Sequence, residues 1–295
     1  MKIKFWGARG SIPTPSTMDF VTSRYGGNTT CISVEVGDLT VILDGGSGLR
    51  NLGLELSRRM PLKAVFFFSH VHWDHIQGFP FFIPCFVPGN EFNLYGAAQM
   101  RDTGVVGSIL ENALRGQQRS LNFPVQISNL PAKLSFHEMG ESAWVKLPVE
   151  GGEVAITSCA LNHPGGCFGY RIEDRTGPAP RVFVLATDNE HFPEGLNPNL
   201  QKIAKDADVL VYDAQYTMDE YEGKGGMPRK GWGHSTWVHG LQEAEAAGVK
   251  RLILTHHDPM HDDWAIARIE NDARKEGLKL DIQVDAAYEG LTIDL

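Results

Sequence analysis

The chain has 295 residues, of which 42% are hydrophobic and 21% charged, and its formal net charge is -9. That length and apolar content suit one packed domain. The acidic balance argues against an extended electrostatic grip on nucleic acid, which needs a basic face. No apolar run reaches the roughly 20 residues of a membrane-spanning helix.

The opening "MKIKFWGARG" reads as a strand running into glycine, not as a signal peptide. "CISVEV" and "LTVILD" flank Gly37-Asp38, a hairpin signal. "AVFFFS" at 64–69 is a short apolar run, the mark of a strand buried on both faces. Residues 79–150 are less regular, with an apolar, Pro-rich stretch at 79–88, a helix expected near 101–118, and "SLNFPVQI". They read as an insertion covering the core of one domain spanning 1–295. "GEVAITSCAL", "CFGYRIE", "RVFVLATD" and "DVLVYDAQ" are further strands. "WVHGLQEAEAAG" is a helix closed by Gly248, "RLILT" a strand, and "DWAIARIENDARKEG" a helix ending at Gly277. Cys31, Cys85, Cys159 and Cys167 form no C-x-x-C pair and read as free thiols of a reducing cytoplasm.

Polar residues recur where apolar strands stop: Asp44 after "TVIL", His70 after "VFFFS", His163 after "CALN", Asp188 after "FVLAT" and His256 after "LILT". Layered α/β folds hold such strand-end loops rigidly, and ligand-bearing residues cluster there. The densest cluster is "SHVHWDHIQG". In an extended loop His70 and His72 face one side and can share an ion. Asp74 and His75 follow where the chain turns toward a helix and can reach a second. Imidazole with carboxylate suits zinc, iron or manganese.

This H-x-H-x-D-H stretch, with "LNHPGG", "ATDNE" and "LTHHDP" after it, resembles the metallo-β-lactamase superfamily. The resemblance implies a four-layer αββα sandwich of the α/β class with a two-metal site along one sheet edge. It implies His70, His72 and His163 on one divalent transition-metal ion, and Asp74, His75 and His256 on the other, with Asp188 bridging. It also implies that Asp44, in "LDGGSG", supports the ligands through hydrogen bonds. Two cations roughly 3.5–4 Å apart acidify a shared water and neutralise charge on a phosphoryl or carbonyl oxygen. Asp74 is thereby a catalytic as well as a metal-ligating candidate. Of the three histidines near the C-terminus, only His256 occupies a ligand position. His257 belongs beside the site or in the pocket wall, and His261 either opens the last helix or hydrogen-bonds a ligand.

Within the superfamily the chain looks most like the phosphodiesterase branch that includes tRNase Z and cyclic-phosphate enzymes. Asp188 stands where zinc β-lactamases often have Cys, and His72 where diiron reductases usually have Glu. "GWGHST" resembles that branch's His-x-Thr motif, which implies that His234 contacts the scissile phosphate and protonates the leaving oxygen. "GARGSIPTP" resembles its first loop, implying phosphate contacts from Arg9 and the backbone around Ser11. "RYGGNTTC" implies that Asn28 and Thr29 either orient substrate or support ligands. The long basic arm of tRNase Z is missing, since only 24 residues separate His163 from Asp188. The expected substrate is therefore a small cyclic phosphodiester such as a cyclic nucleotide, with Phe81, Phe82, Phe86, Phe123 and Trp232 as candidate walls for a base. The expected cofactors are two Zn, Mn or Fe ions. No extended nucleic-acid interface and no membrane contact are expected; a homodimer is possible on the apolar 79–88 stretch. The alternatives are a lactone or thioester hydrolase, a tRNase Z-like RNA 3′-processing nuclease, and a non-enzymatic metal-binding module.

Overall fold

A computed structural model describes residues 1–97 and 108–295. Among them the strands are β1 (Lys2–Gly7), β2 (Cys31–Val36), β3 (Leu39–Leu43), β4 (Lys63–Phe67), β5 (Glu91–Ala97), β6 (Lys133–Met139), β7 (Trp144–Val149), β8 (Gly152–Leu161), β9 (Cys167–Asp174), β10 (Arg181–Ala186), β11 (Val209–Asp213), β12 (Arg251–Thr255), β13 (Gln283–Ala286) and β14 (Thr292–Asp294). The helices are α1 (Leu49–Leu56), α2 (Trp73–Ile76), α3 (Ile109–Gln117), α4 (Pro198–Ala204), α5 (Met218–Glu222), α6 (Trp237–Ala247) and α7 (Asp263–Lys279). One sheet runs β14-β1-β2-β3-β4-β5-β6 and the other β13-β12-β11-β10-β9-β8-β7.

The period-two pattern of the strands sorts side chains into layers. Val41, Leu43, Val65 and Phe67 of the first sheet face Ile156, Tyr170, Phe183 and Val211 of the second in one central core. Alternate residues of the first sheet, Ile42, Phe66 and Leu94, pack outward under α1, α3 and the turns at 79–86. Those of the second, Val184, Leu210, Tyr212 and Leu252, pack under α4, α6 and α7. The result is helix on sheet on sheet on helix, the expected αββα sandwich. Phe67 is fully buried between the sheets, where truncation to Ala would cost about 3–5 kcal/mol.

The segment 79–150 is more than a cover. Phe79, Phe82 and Cys85 do pack over the first sheet, but β5, β6 and β7 complete the two sheets. The sequence hides them because they are mixed in polarity: β7 alternates exposed and half-buried residues and contains Pro148. The helix expected near 101–118 is α3, which starts at Ile109 with Ser108 as its cap and ends at Gln117; 101–107 lie outside the described residues. The last helix runs past Gly277 and ends at Lys279. All four cysteines are buried and unbridged. No helix among the described residues is long and apolar enough to cross a membrane.

Strand direction gathers the site. β3 and β4 are parallel, as are β10, β11 and β12, while β8 and β10 each run antiparallel to the intervening β9. Asp44, His70, His163, Asp188 and His256 therefore emerge at one edge of the sandwich. The sheets are tied there by Tyr170, whose hydroxyl donates to the Phe68 carbonyl at 2.6 Å, and by Phe168 N–H donating to Ser69 O at 2.9 Å.

Candidate metal centre

Donor atoms of His70, His72, His163 and Asp188 lie within 4.8 Å of one another, and so do those of Asp74, His75, Asp188 and His256. Asp188 belongs to both groups. Three of these strand-end residues, Asp44, Asp188 and His256, have φ of +57°, +53° and +62°. Ser11, whose N–H donates to Asp74 Oδ2 at 2.8 Å, has φ +62°. Left-handed backbone is costly for residues other than glycine and collects where surrounding structure demands it. Here it turns each chain sharply at the sheet edge so that the side chain points back into the site.

The hydrogen bonds aim the imidazoles. His75 Nδ1 donates to Asp44 Oδ2 at 2.9 Å, His163 Nδ1 to the Gly233 carbonyl at 2.9 Å, and His256 Nδ1 to Gln215 Oε1 at 2.8 Å. Each partner is an acceptor, so each Nδ1 carries hydrogen and each Nε2 faces the centre. Nε2 of His70 and of His75 are buried and have no hydrogen-bond partner. His75 Nε2 lies 3.3 Å from Asp74 Oδ2 and 3.2 Å from Asp188 Oδ2 without hydrogen-bonding geometry to either. His72 Nδ1 and His163 Nε2 approach to 3.1 Å. Converging imidazole and carboxylate donors of this kind, some buried and unpaired, fit divalent metal ions.

Electrostatics agrees. Burial drives His70, His72 and His163 below the ordinary histidine value, so their lone pairs are free. Burial opposes ionisation of Asp188 and Asp74, but the surrounding histidines outweigh it and hold both well below the usual carboxylate range. Burial likewise opposes charge on His75 and His256, yet the facing aspartates prevail, raising His75 strongly and His256 to about 9. Without metal, protons on these two rings balance the two carboxylates; divalent cations serve the same electrostatic need and displace them.

His234 lies at the mouth. Its Nδ1 donates to Asp213 Oδ2 at 2.8 Å, and its ring stacks on His256 with centroids 4.7 Å apart. Asp213 Oδ1 also accepts from Ser235 N–H at 3.2 Å and Gln215 N–H at 3.1 Å. Glu190 fixes the loop carrying His234, accepting from Gly231 N–H at 2.7 Å, Gly233 N–H at 2.9 Å and the Tyr221 hydroxyl at 2.7 Å. A cavity of about 410 Å³ opens here, lined by Ser11, Val71, His72, Trp73, Asp74, Asp188, His234 and His256. Sequence reasoning misses Asp213, Gln215 and Glu190. Asp213 carries a usable signal, because it closes the apolar run "VLVY" as the other strand-end residues close theirs.

Several expected site residues lie elsewhere. The Arg9 guanidinium is buried and donates to the carbonyls of Gly26, Asp258 and His261, so it braces three loops instead of meeting phosphate. Asn28 bonds Glu289 and Ser47. Thr29 Oγ1 receives Ser47 N–H and the Gln77 amide, at the end of α2. Neither lines the cavity; their bonds brace the turn at Ser47 against the end of α2. His257 Nε2 donates to the Ala287 carbonyl at 2.8 Å, and burial lowers its pKa to about 3. His261 pairs with Glu220 at 2.8 Å. Neither ring bonds a side chain of the candidate donor set, because the Ala287 carbonyl and the Glu220 carboxylate engage them instead. Phe82 is core, Phe81 packs edge-on to Phe123, and Trp232 lies under Arg229; none of them, nor Phe86, lines this cavity.

An αββα sandwich with two His/Asp donor groups at one sheet edge has the make-up of a metal-dependent hydrolase. Residues 40–257 match the family model described as the beta-lactamase superfamily domain, and the chain belongs to that superfamily. It is 26% identical to ribonuclease Z of Lactiplantibacillus plantarum over 278 residues, covering 79% of this chain and 82% of the relative. Among solved structures it is similar to the short form of human tRNase Z, with TM-score 0.62, 18% identity, and coverage of 100% of this chain and 99% of the other. A diphosphatase of the PhnP family gives TM-score 0.65 at 15% identity, covering 100% of this chain and 97% of the other. At these identities the solved structures establish the shared fold.

Proposed function

We propose that the chain is a metal-dependent phosphodiesterase acting on a small, cyclic phosphodiester. The observation that carries this is the Asp213–His234 pair, set at the mouth of a cavity whose floor is the two donor groups. His70, His72 and His163 would hold one cation and Asp74, His75 and His256 the other, with Asp188 shared. Bound there, two zinc, manganese or iron ions would supply Lewis acidity and a water acidified toward neutrality.

The chain's own groups do the rest. Asp213, itself held by the N–H groups of Ser235 and Gln215, orients His234 through its Nδ1–H; with a second proton on Nε2 the imidazolium passes that proton to the leaving oxygen and remains as the neutral ring bonded to Asp213. Asp74 turns Oδ2 toward His75 and His256, where it would help hold a cation, and Ser11 N–H fixes that oxygen, so Oδ1 is left to accept a hydrogen bond from the attacking water.

A small substrate is favoured because residues 175–180 join β9 to β10 directly, leaving no room for an arm between His163 and Asp188. The similarity to ribonuclease Z favours a second reading, RNA 3′ processing. A panel of bis-p-nitrophenyl phosphate, cyclic nucleotides, a thioester, a lactone and a precursor tRNA, on protein of measured metal content, tests both. We expect metal-dependent turnover of the small diesters. Turnover confined to the tRNA would favour the second reading, and turnover confined to lactone or thioester would overturn both.

A further inference from the structure

We propose that Trp73 is a stacking platform that selects substrates carrying a planar ring, such as a nucleobase, beside the scissile phosphodiester. This rests on the phosphodiesterase reading above and names its substrate class more narrowly.

Trp73 stands between His72 and Asp74, and it is 82% exposed. An indole usually buries most of its large apolar surface. Among the described residues, no ring and no cation packs on its faces. Its position is nonetheless rigid. It is the first residue of α2, its carbonyl receives Gln77 N–H at 2.7 Å, and the residues on both sides are metal donors. The backbone at Trp73 cannot shift without displacing a candidate donor, so the indole is held at the cavity rim and turns only about its side-chain bonds.

The cavity wall is divided chemically. Ser11, His72, Asp74, Asp188, His234 and His256 are polar and suit the phosphate, while Val71 and Trp73 supply the apolar side. An organic substituent on that phosphate has Trp73 as the large flat surface to lie against. A protein partner seated on Trp73 would instead cover the mouth through which substrate enters.

The test uses the full chain loaded with Mn²⁺ and measures equilibrium binding of AMP and ribose 5-phosphate, which differ by the base. Base–aromatic stacking predicts AMP binding roughly tenfold tighter. Trp73→Ala should erase that difference and Trp73→Phe should keep most of it. Equal affinity of the two ligands in the parent chain overturns the proposal, as does an equal loss for both in Trp73→Ala. A preserved preference together with a lower sedimentation mass would make Trp73 a chain–chain contact and also overturn it. The two readings fail separately. If bis-p-nitrophenyl phosphate is hydrolysed but the base adds nothing, only the platform fails; if no phosphodiester is turned over and neither ligand binds, both fail.

Discussion

Asp44 Oδ2 accepts from His75 Nδ1 at 2.9 Å, while Oδ1 of the same carboxylate accepts the backbone N–H of Ser69 at 2.8 Å. One buried carboxylate thus fixes the start of the "SHVHWDH" loop and the ring of its last histidine. Asp44→Asn preserves the shape but offers an amide where two donors need an acceptor. Loss of such a supporting contact typically weakens metal affinity by about 10- to 100-fold. Competition with a chromophoric chelator should show that loss, and excess metal should restore turnover. Unchanged metal affinity would count against the supporting role.

The Asp213–His234 pair leads to a different signature. His234→Ala should lower kcat by about 10²–10⁴-fold on diesters with alkyl leaving groups. The loss should be much smaller on p-nitrophenyl esters, whose leaving group departs without a proton. Asp213→Asn should act in the same direction, with metal content unchanged in both. Equal losses on both leaving groups would make His234 a positioning residue, and no loss on a lactone would favour carboxyl hydrolysis.

The central strands are legible because their apolar runs end at ionisable residues: "TVIL" at Asp44, "FVLAT" at Asp188, "LILT" at His256. A buried strand advertises itself by composition, and a charge at its end can only sit at the sheet edge. β6 and β13 lie at sheet edges and mix charges with apolar residues, so composition does not mark them. Arg9 misleads for a related reason. Its acceptors lie on segments up to 252 residues away, and nothing local tells a guanidinium committed to buried carbonyls from one aimed at phosphate.

Two glycines press directly on rings of the proposed donor set. A Cβ on Gly10 would fall 2.2 Å from Nδ1 of His256, and one on Gly233, at φ +90°, would fall 2.2 Å from Nδ1 of His163. Gly10→Ala and Gly233→Ala should each push a ligand ring off its geometry. We expect loss of metal stoichiometry measured by elemental analysis and at least a tenfold fall in turnover, since misplacement of about 1 Å can cost 10²-fold. Gly116, in α3 with open space around its Cβ position, is the control: Gly116→Ala should leave both readouts near the parent values.

Metal-free protein should lose stability in acid in part through His257, alongside the other histidines whose pKa burial lowers. The folded pKa of His257 is near 3, because burial disfavours the charged ring, against an unfolded value near 6.5. Between those values the unfolded chain binds the extra proton, so stability rises with pH. The contribution is fully present above about pH 6.5 and is lost as pH falls toward 3, at up to about 1.4 kcal/mol per unit. His256 has the opposite sign: its raised pKa gives stability that is present below pH 6.5 and declines only toward 9, so it does not mask the acid limb. Urea midpoints in chelator at pH 7, 5.5 and 4.5 should therefore fall steadily in the parent chain. His257→Phe should start lower, because the Ala287 carbonyl loses its donor, but decline less steeply. Parallel slopes in the two proteins would assign the acid limb to other groups.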